Sequence, residues 1–242
     1  LHKPLTAIDR LMLDLLEAHI AGSCPDIISF SIPFPGCLYG ALRCGQYVKE
    51  HYPDIKINFG GGFPNTEWRQ LSDPRIFDYC HYITLDDGEI PLLHLATQEP
   101  LVRTFVRNEE GRVEWIDNKE ESPFLNETAP SFEGLPLEKY ISLAEMTNPM
   151  HRLWSNGRWN KLMMAHGCYW HKCAFCDTSI DYIGRFVAPS ATTVVDNMER
   201  VACQTGCTGF HFVDEALPPK LLREVSEEIL RRGDVFTWWG NI

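Results

Sequence analysis

Residues 163–179 read MMAHGCYWHKCAFCDTS and place three cysteines in one short segment, at Cys168, Cys173 and Cys176. Their spacing is C-x4-C-x2-C, so the three thiols lie within nine residues of each other. Core packing does not explain three thiols this close together, and free exposed thiols would be prone to oxidation. We therefore interpret the segment as a site of metal or redox chemistry.

The spacing of the cysteines alone leaves three interpretations open. Thiolates are the usual ligands of iron–sulfur clusters, and three of them can hold a 4Fe-4S cube while leaving one iron without a protein ligand. Zinc prefers four ligands, which Cys173 and Cys176 could complete with Cys203 and Cys207, or with Cys168 and one of His166 and His171. The C-x2-C pair alone would permit a redox-active dithiol.

The sequence around the cysteines alternates between strand and helix patterns. Ser190 is a candidate helix cap, followed by apolar residues at helical spacing. The predicted elements are a strand at 161–165, a helix at 189–206, a strand at 210–213, a helix at 218–233 and a strand at 236–242. This alternation predicts a parallel α/β sheet whose first strand leads into the cysteines.

The first part of the chain shows the same alternation before its character changes near residue 100. The predicted elements are helices at 4–20, 38–52 and 89–97, a short helix near Asn65, strands at 26–32, 55–61 and 82–85, and a hairpin at 101–118. We therefore divide the chain into an α/β domain at 1–100, a hairpin and connector at 101–150, and a second α/β part at 151–242.

The composition argues against several protein classes. The formal net charge of −11 argues against a protein that coats nucleic acid or an anionic membrane. Since no run of about 18 apolar residues occurs, we expect no membrane-spanning helix. Hydrophobic residues make up 44% of the chain, enough for a packed core. We expect the nine cysteines to be reduced thiols or metal ligands in a cytoplasmic protein.

The second α/β part resembles the radical S-adenosylmethionine (SAM) superfamily. Its members carry a three-cysteine loop after the first strand of an (α/β)6 partial TIM-type barrel, commonly as C-x3-C-x2-C with an aromatic residue before the last cysteine. Phe175 occupies that aromatic position, Gly167 precedes the first cysteine, and His166 stands where many relatives carry Arg. The chain departs from the pattern by one extra residue between Cys168 and Cys173, and a longer first spacer also occurs in some members.

This resemblance implies an enzyme that uses a 4Fe-4S cluster on the three cysteines to cleave SAM reductively and to abstract a hydrogen from a substrate. It implies that Phe175 packs near the SAM adenine and that Asp214 or Glu215 accepts hydrogen bonds from the SAM amino group. The outcomes known in the subgroup include methyl transfer, oxidative cyclisation and rearrangement. It further implies a small-molecule or peptide substrate and a reductant such as flavodoxin or ferredoxin.

The first part of the chain resembles the Rossmann-like cobalamin-binding-type domain, a parallel sheet that precedes the barrel in one subgroup of the superfamily. The family's Asp-x-His-x-x-Gly motif, which ligates cobalt, is missing from the chain. Cobalamin is therefore an expectation from fold analogy, with contacts expected at Ser31, Gly60, Gly61 and Gly62. The positions that match the subgroup's outline are Ser29, Ser31, Gly60, Gly61, Gly62, Gly88 and Glu89.

The resemblance also predicts that the chain is part of a longer protein. The family's partial barrel has six strands, whereas we expect three here, at 161–165, 210–213 and 236–241. Two rival hypotheses remain. One is a non-catalytic, zinc-stabilised α/β interaction module built on the C-x2-C pair with Cys203 and Cys207. The other is a degenerate family member that keeps the fold without the chemistry.

Overall fold

The computed structural model describes residues 3–118, 129–142, 145–150, 153 and 157–242. The chain divides into two compact units, Leu1–Ser122 and Pro123–Ile242. Each unit has its own β-sheet and its own buried hydrophobic core. The predicted α/β class is confirmed. In the described part of the chain, neither sheet closes into a barrel.

The first unit contains a mixed sheet of five strands in the order β1-β2-β3-β4-β5. β1 pairs with β2 and β2 with β3 in parallel, whereas β3 pairs with β4 and β4 with β5 in antiparallel orientation. The strands are β1 Ile27–Ser31, β2 Lys56–Gly60, β3 Tyr82–Thr84, β4 Thr104–Arg107 and β5 Val113–Ile116.

The expectation of an all-parallel first sheet is wrong for its last two strands. The hairpin predicted at 101–118 does form, but it joins the sheet beside β3, although the sequence analysis grouped it with the connector. β5 runs antiparallel to β4 because the turn between them is short, and only antiparallel strands can be joined by so few residues.

Helices and a 3-10 helix connect the strands of the first unit. Thr6 caps α1, and Asp9 completes a capping box by accepting the Thr6 backbone N–H. α2 begins at Pro35, three residues before its predicted start, since proline is well tolerated in the first helical turn. The elements are α1 Ala7–Ser23, α2 Pro35–His51, α3 Gly62–Glu67, the 3-10 helix Pro74–Asp78 and α4 Glu89–Thr97.

The second unit contains a parallel sheet of three strands in the order β6-β7-β8. Its strands are β6 Asn160–Leu162, β7 Gly209–Phe212 and β8 Thr237–Trp239. Its helices are α5 Asp181–Gly184, α6 Ala191–Thr205 and α7 Pro219–Arg232, and a 3-10 helix spans Leu137–Lys139. β8 therefore confirms the expected third parallel strand, and Ser190 caps α6 as predicted.

The two faces of the second sheet differ in character. Phe210 and Phe212 are fully buried in a core that also contains apolar residues of α6 and α7. Alternation along the strands places Lys161, His211 and Trp239 on the opposite face, and the strand register sets these three side by side. Among the described residues, no helix is long and apolar enough to cross a membrane.

Candidate functional site

The three cysteines lie on a loop that a backbone bridge closes at its base. His166 and Val187 exchange two hydrogen bonds, with N···O distances of 2.8 and 3.0 Å. We call residues 167–186 between them the cysteine loop. Gly167 has φ +75°, and an added Cβ would overlap the carbonyl oxygen of Arg185. Glycine at this position therefore permits both the backbone turn and the close approach of the returning chain.

His166 supports the cysteine loop from below and does not face solvent. Its side chain is buried, with Nε2 3.2 Å from the carbonyl oxygen of Tyr182. The His166 and Tyr182 rings pack edge to face, with centroids 5.1 Å apart. This geometry gives His166 a supporting role at the base of the loop.

All three cysteines of the loop are free thiols. Cys173 is exposed, and Cys168 and Cys176 are partly buried. The backbone N–H of Trp170 donates to Cys168 Sγ at 3.3 Å, and the N–H of Cys176 donates to the Cys173 carbonyl at 3.1 Å. The thiolate is the form of cysteine that binds metal. The loop therefore offers the right donors for an iron–sulfur cluster in number and kind.

The sulfur atoms do not converge in this structure. Within the described residues, no three His, Cys, Asp or Glu side chains form a group that could hold a metal ion. The donors thus fit a cluster by their chemistry and by their position on one loop, and binding would have to bring the three sulfur atoms together.

The cysteines of the alternative zinc site lie at opposite ends of the parallel strands. Cys207 precedes β7, and Asn160, the first residue of β6, donates from Nδ2 to its carbonyl oxygen at 2.8 Å. The cysteine loop follows the carboxyl end of β6, while Cys203 is exposed on α6. Because β6 and β7 are parallel, the end of β6 and the beginning of β7 lie at opposite edges of the sheet. This arrangement does not favour a four-cysteine zinc site.

Asp214 anchors the segment that leads into the cysteine loop. Its carboxylate is buried and accepts the backbone N–H groups of Met164 and Ala165, each at 2.8 Å. Burial raises the pKa of Asp214, and the two backbone donors oppose that shift. Both oxygens are therefore engaged within the chain. Glu215 is exposed, so it is the acid of the pair whose carboxylate is open to a ligand.

The cysteine loop carries exposed aromatic side chains. Phe175 is 91% exposed and Trp170 is 51% exposed. The Nζ atom of Lys172 lies 5.1 Å from the centroid of the Trp170 ring, within the range of a cation–π contact. Phe175 therefore has little packing of its own in this structure, and a flat ligand such as adenine would give it a partner.

The glycines expected to contact cobalamin are explained by packing within the first unit. An added Cβ at Gly60 would approach Thr84 Oγ1, and at Gly61 it would crowd the backbone of Ile32. Gly62 lies in the same way against Pro33. The chain's own atoms fill the space beside these glycines, so they do not form an open cradle for cobalamin, and we derive no chemistry through that cofactor. Ser31 is exposed at the carboxyl end of β1.

The sequence analysis missed one group of chemically active side chains, the row Lys161, His211 and Trp239. Lys161 Nζ lies 2.5 Å from His211 Nδ1, and the imidazole stacks on the Trp239 indole with centroids 3.7 Å apart and planes 7° apart. Strand alternation in the segments 161–165, 210–213 and 236–242 could have placed these residues on one face, but the register between strands was needed to set them side by side.

No family model and no curated protein matches this chain. The functional assignment therefore depends on the side chains themselves and on where the fold places them.

Proposed function

We propose that this chain carries the cluster-binding part of a radical SAM enzyme. The observation that carries the proposal is the position of three free thiols on one bridged loop, directly after the first strand of a parallel sheet. In α/β sheets and barrels, ligands bind beyond the carboxyl ends of the strands, where this loop lies. On this proposal β6, β7 and β8 are the first strands of an (α/β)6 partial barrel.

Each part of the loop has a role in the proposal. Cys168, Cys173 and Cys176 hold the cluster, which when bound would supply the electron for reductive cleavage of SAM and so the radical that removes a hydrogen from the substrate. Phe175 covers the adenine, and Glu215 accepts from the SAM amino group. The remaining residues of the site keep the loop in place.

The cysteines are positioned by residues that hold the base of the loop. The bridge between His166 and Val187 fixes the distance between its two ends. The carboxylate of Asp214 fixes the backbone entering it, at Met164 and Ala165. These contacts limit the cost of ordering the cysteines when the cluster binds, because much of the loop is already closed.

The proposal is tested by anaerobic reconstitution with iron and sulfide, followed by metal and acid-labile sulfide analysis. We expect a bound 4Fe-4S cluster, loss of it in Cys168→Ala, Cys173→Ala and Cys176→Ala, and no loss in Cys203→Ala, an exposed helical thiol that serves as the matched control. Stoichiometric zinc without sulfide, removed by Cys203→Ala or Cys207→Ala, would replace the proposal with the zinc module.

A second measurement separates an active enzyme from a degenerate one. After reduction, the reconstituted chain should convert SAM to 5′-deoxyadenosine and methionine. Glu215→Gln should weaken SAM binding about 10- to 150-fold, the range for losing a charge-assisted hydrogen bond. A cluster that assembles without any SAM cleavage would identify a family fold that has lost its chemistry, and unchanged affinity in Glu215→Gln would remove that residue from the site.

A further inference from the structure

The face of the second sheet that points away from α6 and α7 carries a pair of nitrogen-bearing side chains in direct contact. Lys161 Nζ lies 2.5 Å from His211 Nδ1. A lysine ammonium can only donate, so Nδ1 of the imidazole accepts and the ring is the neutral tautomer with its proton on Nε2. The pair therefore presents the Nε2–H of His211 and the remaining N–H groups of Lys161 to the space above the sheet.

The stack on Trp239 fixes the orientation of the imidazole. The two rings are stacked in nearly parallel planes, with centroids 3.7 Å apart, and Trp239 remains 48% exposed. The strand register supports this arrangement because His211 is the direct partner of both Lys161 and Trp239 in the neighbouring strands. The Nε2–H donor of His211 therefore keeps a fixed direction without a hydrogen bond of its own to hold it.

The charge of the pair is not balanced by an acid. Among the residues that the structure describes, no carboxylate forms an ion pair with Lys161 or His211, although the chain carries 33 Asp and Glu residues. Burial lowers the pKa of Lys161, and burial followed by the Lys161 charge lowers the pKa of His211. An anion bound beside the pair would favour the charged form of both groups and so oppose both shifts.

We propose that Lys161 and His211 form an oxyanion-binding pair that holds a carboxylate or phosphate group of the substrate. Lys161 supplies the charge, and His211 supplies a directed Nε2–H donor that Trp239 keeps in plane. The inference rests on the proposed function only in naming the anion as part of the substrate. The binding of the anion requires neither iron nor SAM.

The test uses the chain without a cluster, labelled with ¹⁵N-histidine, with the His211 ring resonance assigned by its absence in His211→Gln. Inorganic phosphate and succinate are titrated separately at constant ionic strength maintained with sodium chloride. We expect a saturable shift of the His211 resonance and a rise in the His211 pKa with at least one of the two anions. The anion that saturates identifies the chemical group that the pair recognises.

Variants assign the effect to the pair. Lys161→Gln should weaken the binding about 10-fold or more, and Lys161→Arg, which keeps the charge, should retain most of it. Lys220→Gln removes an equal charge from an exposed site on α7, where Lys220 lies near Glu224, and should leave the binding unchanged. Trp239→Phe keeps an aromatic ring beneath the imidazole, whereas Trp239→Ala should broaden the His211 resonance and weaken the binding.

Two outcomes would overturn the inference. One is a response to both anions that stays linear and equals the response to chloride. The other is saturable binding that is equal in wild type and in a folded Lys161→Gln variant. Neither outcome bears on the iron and sulfide analysis, so a failure here is distinguishable from a failure of the proposed function.

Discussion

The Oδ1 atom of Asp214 accepts the backbone N–H of Ala165 at 2.8 Å, which ties the end of β7 to the segment that enters the cysteine loop. The other carboxylate oxygen accepts the N–H of Met164 at the same distance. A buried carboxylate that satisfies two successive backbone donors extends the pairing of β6 and β7 beyond their last strand residues. The geometry gives Asp214 a positioning role, while the resemblance had placed it against SAM.

Asp214→Asn should therefore lower stability. An amide offers one acceptor oxygen and directs an N–H₂ group at a backbone donor, so one buried N–H loses its partner. We expect the free energy of unfolding in urea to fall by about 1–3 kcal/mol. Glu215→Gln, one residue further along and exposed, is the matched control and should change it by no more than about 0.5 kcal/mol. Equal, small effects in both variants would show that the anchor contributes nothing.

Gly167→Ala should disrupt closure of the cysteine loop. An added methyl group would overlap the carbonyl oxygen of Arg185 at a residue whose φ is +75°. Gly206, at the end of α6, has a similar φ of +70° but nothing within 4 Å of an added Cβ. Gly206→Ala should cost about 1–2 kcal/mol from backbone strain alone, and Gly167→Ala should cost more in the same urea experiment. A loss no larger than that of Gly206→Ala would contradict the close approach at Arg185.

The elements that the sequence predicted well are those set by local signals. α4 spans Glu89–Thr97 as predicted, and the caps at Thr6 and Ser190 form as expected. β6 ends at Leu162, where the prediction extended the strand to residue 165. The apolar run continues to Ala165, but Met164 and Ala165 donate to a side chain instead of to a neighbouring strand, which no local pattern can indicate.

The candidate site shows the same division between local and long-range information. The sequence placed the three cysteines in one segment after a strand, and the structure places all three on one loop after β6. The bridge between His166 and Val187 joins residues 21 positions apart, and the pair of Lys161 and His211 joins residues 50 positions apart. Contacts at such separations depend on strand register and chain reversal, so a single sequence does not specify them.

The stability of the first unit should fall as the pH drops below about 6.5. The Nδ1 atom of His81 accepts the backbone N–H of Ile57 at 2.9 Å, and burial followed by nearby lysine charges lowers the pKa of His81 to about 4. The unfolded chain takes up the proton near pH 6.5 while the folded chain resists it. The stabilising contribution is therefore complete above pH 6.5 and is lost as the pH falls towards 4.

The expected loss between these pH values is about 1–2 kcal/mol, smaller than the full linkage because the ring is only half buried and is screened by solvent. Urea unfolding of wild type and His81→Gln at several pH values measures it. The variant should be less stable at pH 7 and should lack the histidine-dependent part of the pH profile. Parallel profiles for the two proteins would show that His81 titrates normally in the folded state.

The thiols should separate into reactive and protected classes in a native alkylation experiment with iodoacetamide and mass spectrometry. Cys173 is exposed, as are Cys24 and Cys37. Cys80 is buried, and burial raises its pKa to about 12, so almost no thiolate is present at neutral pH. Cys203 is exposed as well, so we expect rapid labelling of the four exposed thiols and little labelling of Cys80 until the protein is unfolded.

Alkylation repeated after reconstitution with iron and sulfide tests which thiols bind the cluster. Cys173 should become protected together with Cys168 and Cys176, because a thiolate bound to iron cannot attack the reagent, while Cys24 should react as before. Bound iron with Cys173 still fully alkylated would place the cluster elsewhere. If zinc alone protected both Cys173 and Cys203, the loop would have to bend back towards α6. The bridge between His166 and Val187 at the base of the loop opposes that rearrangement.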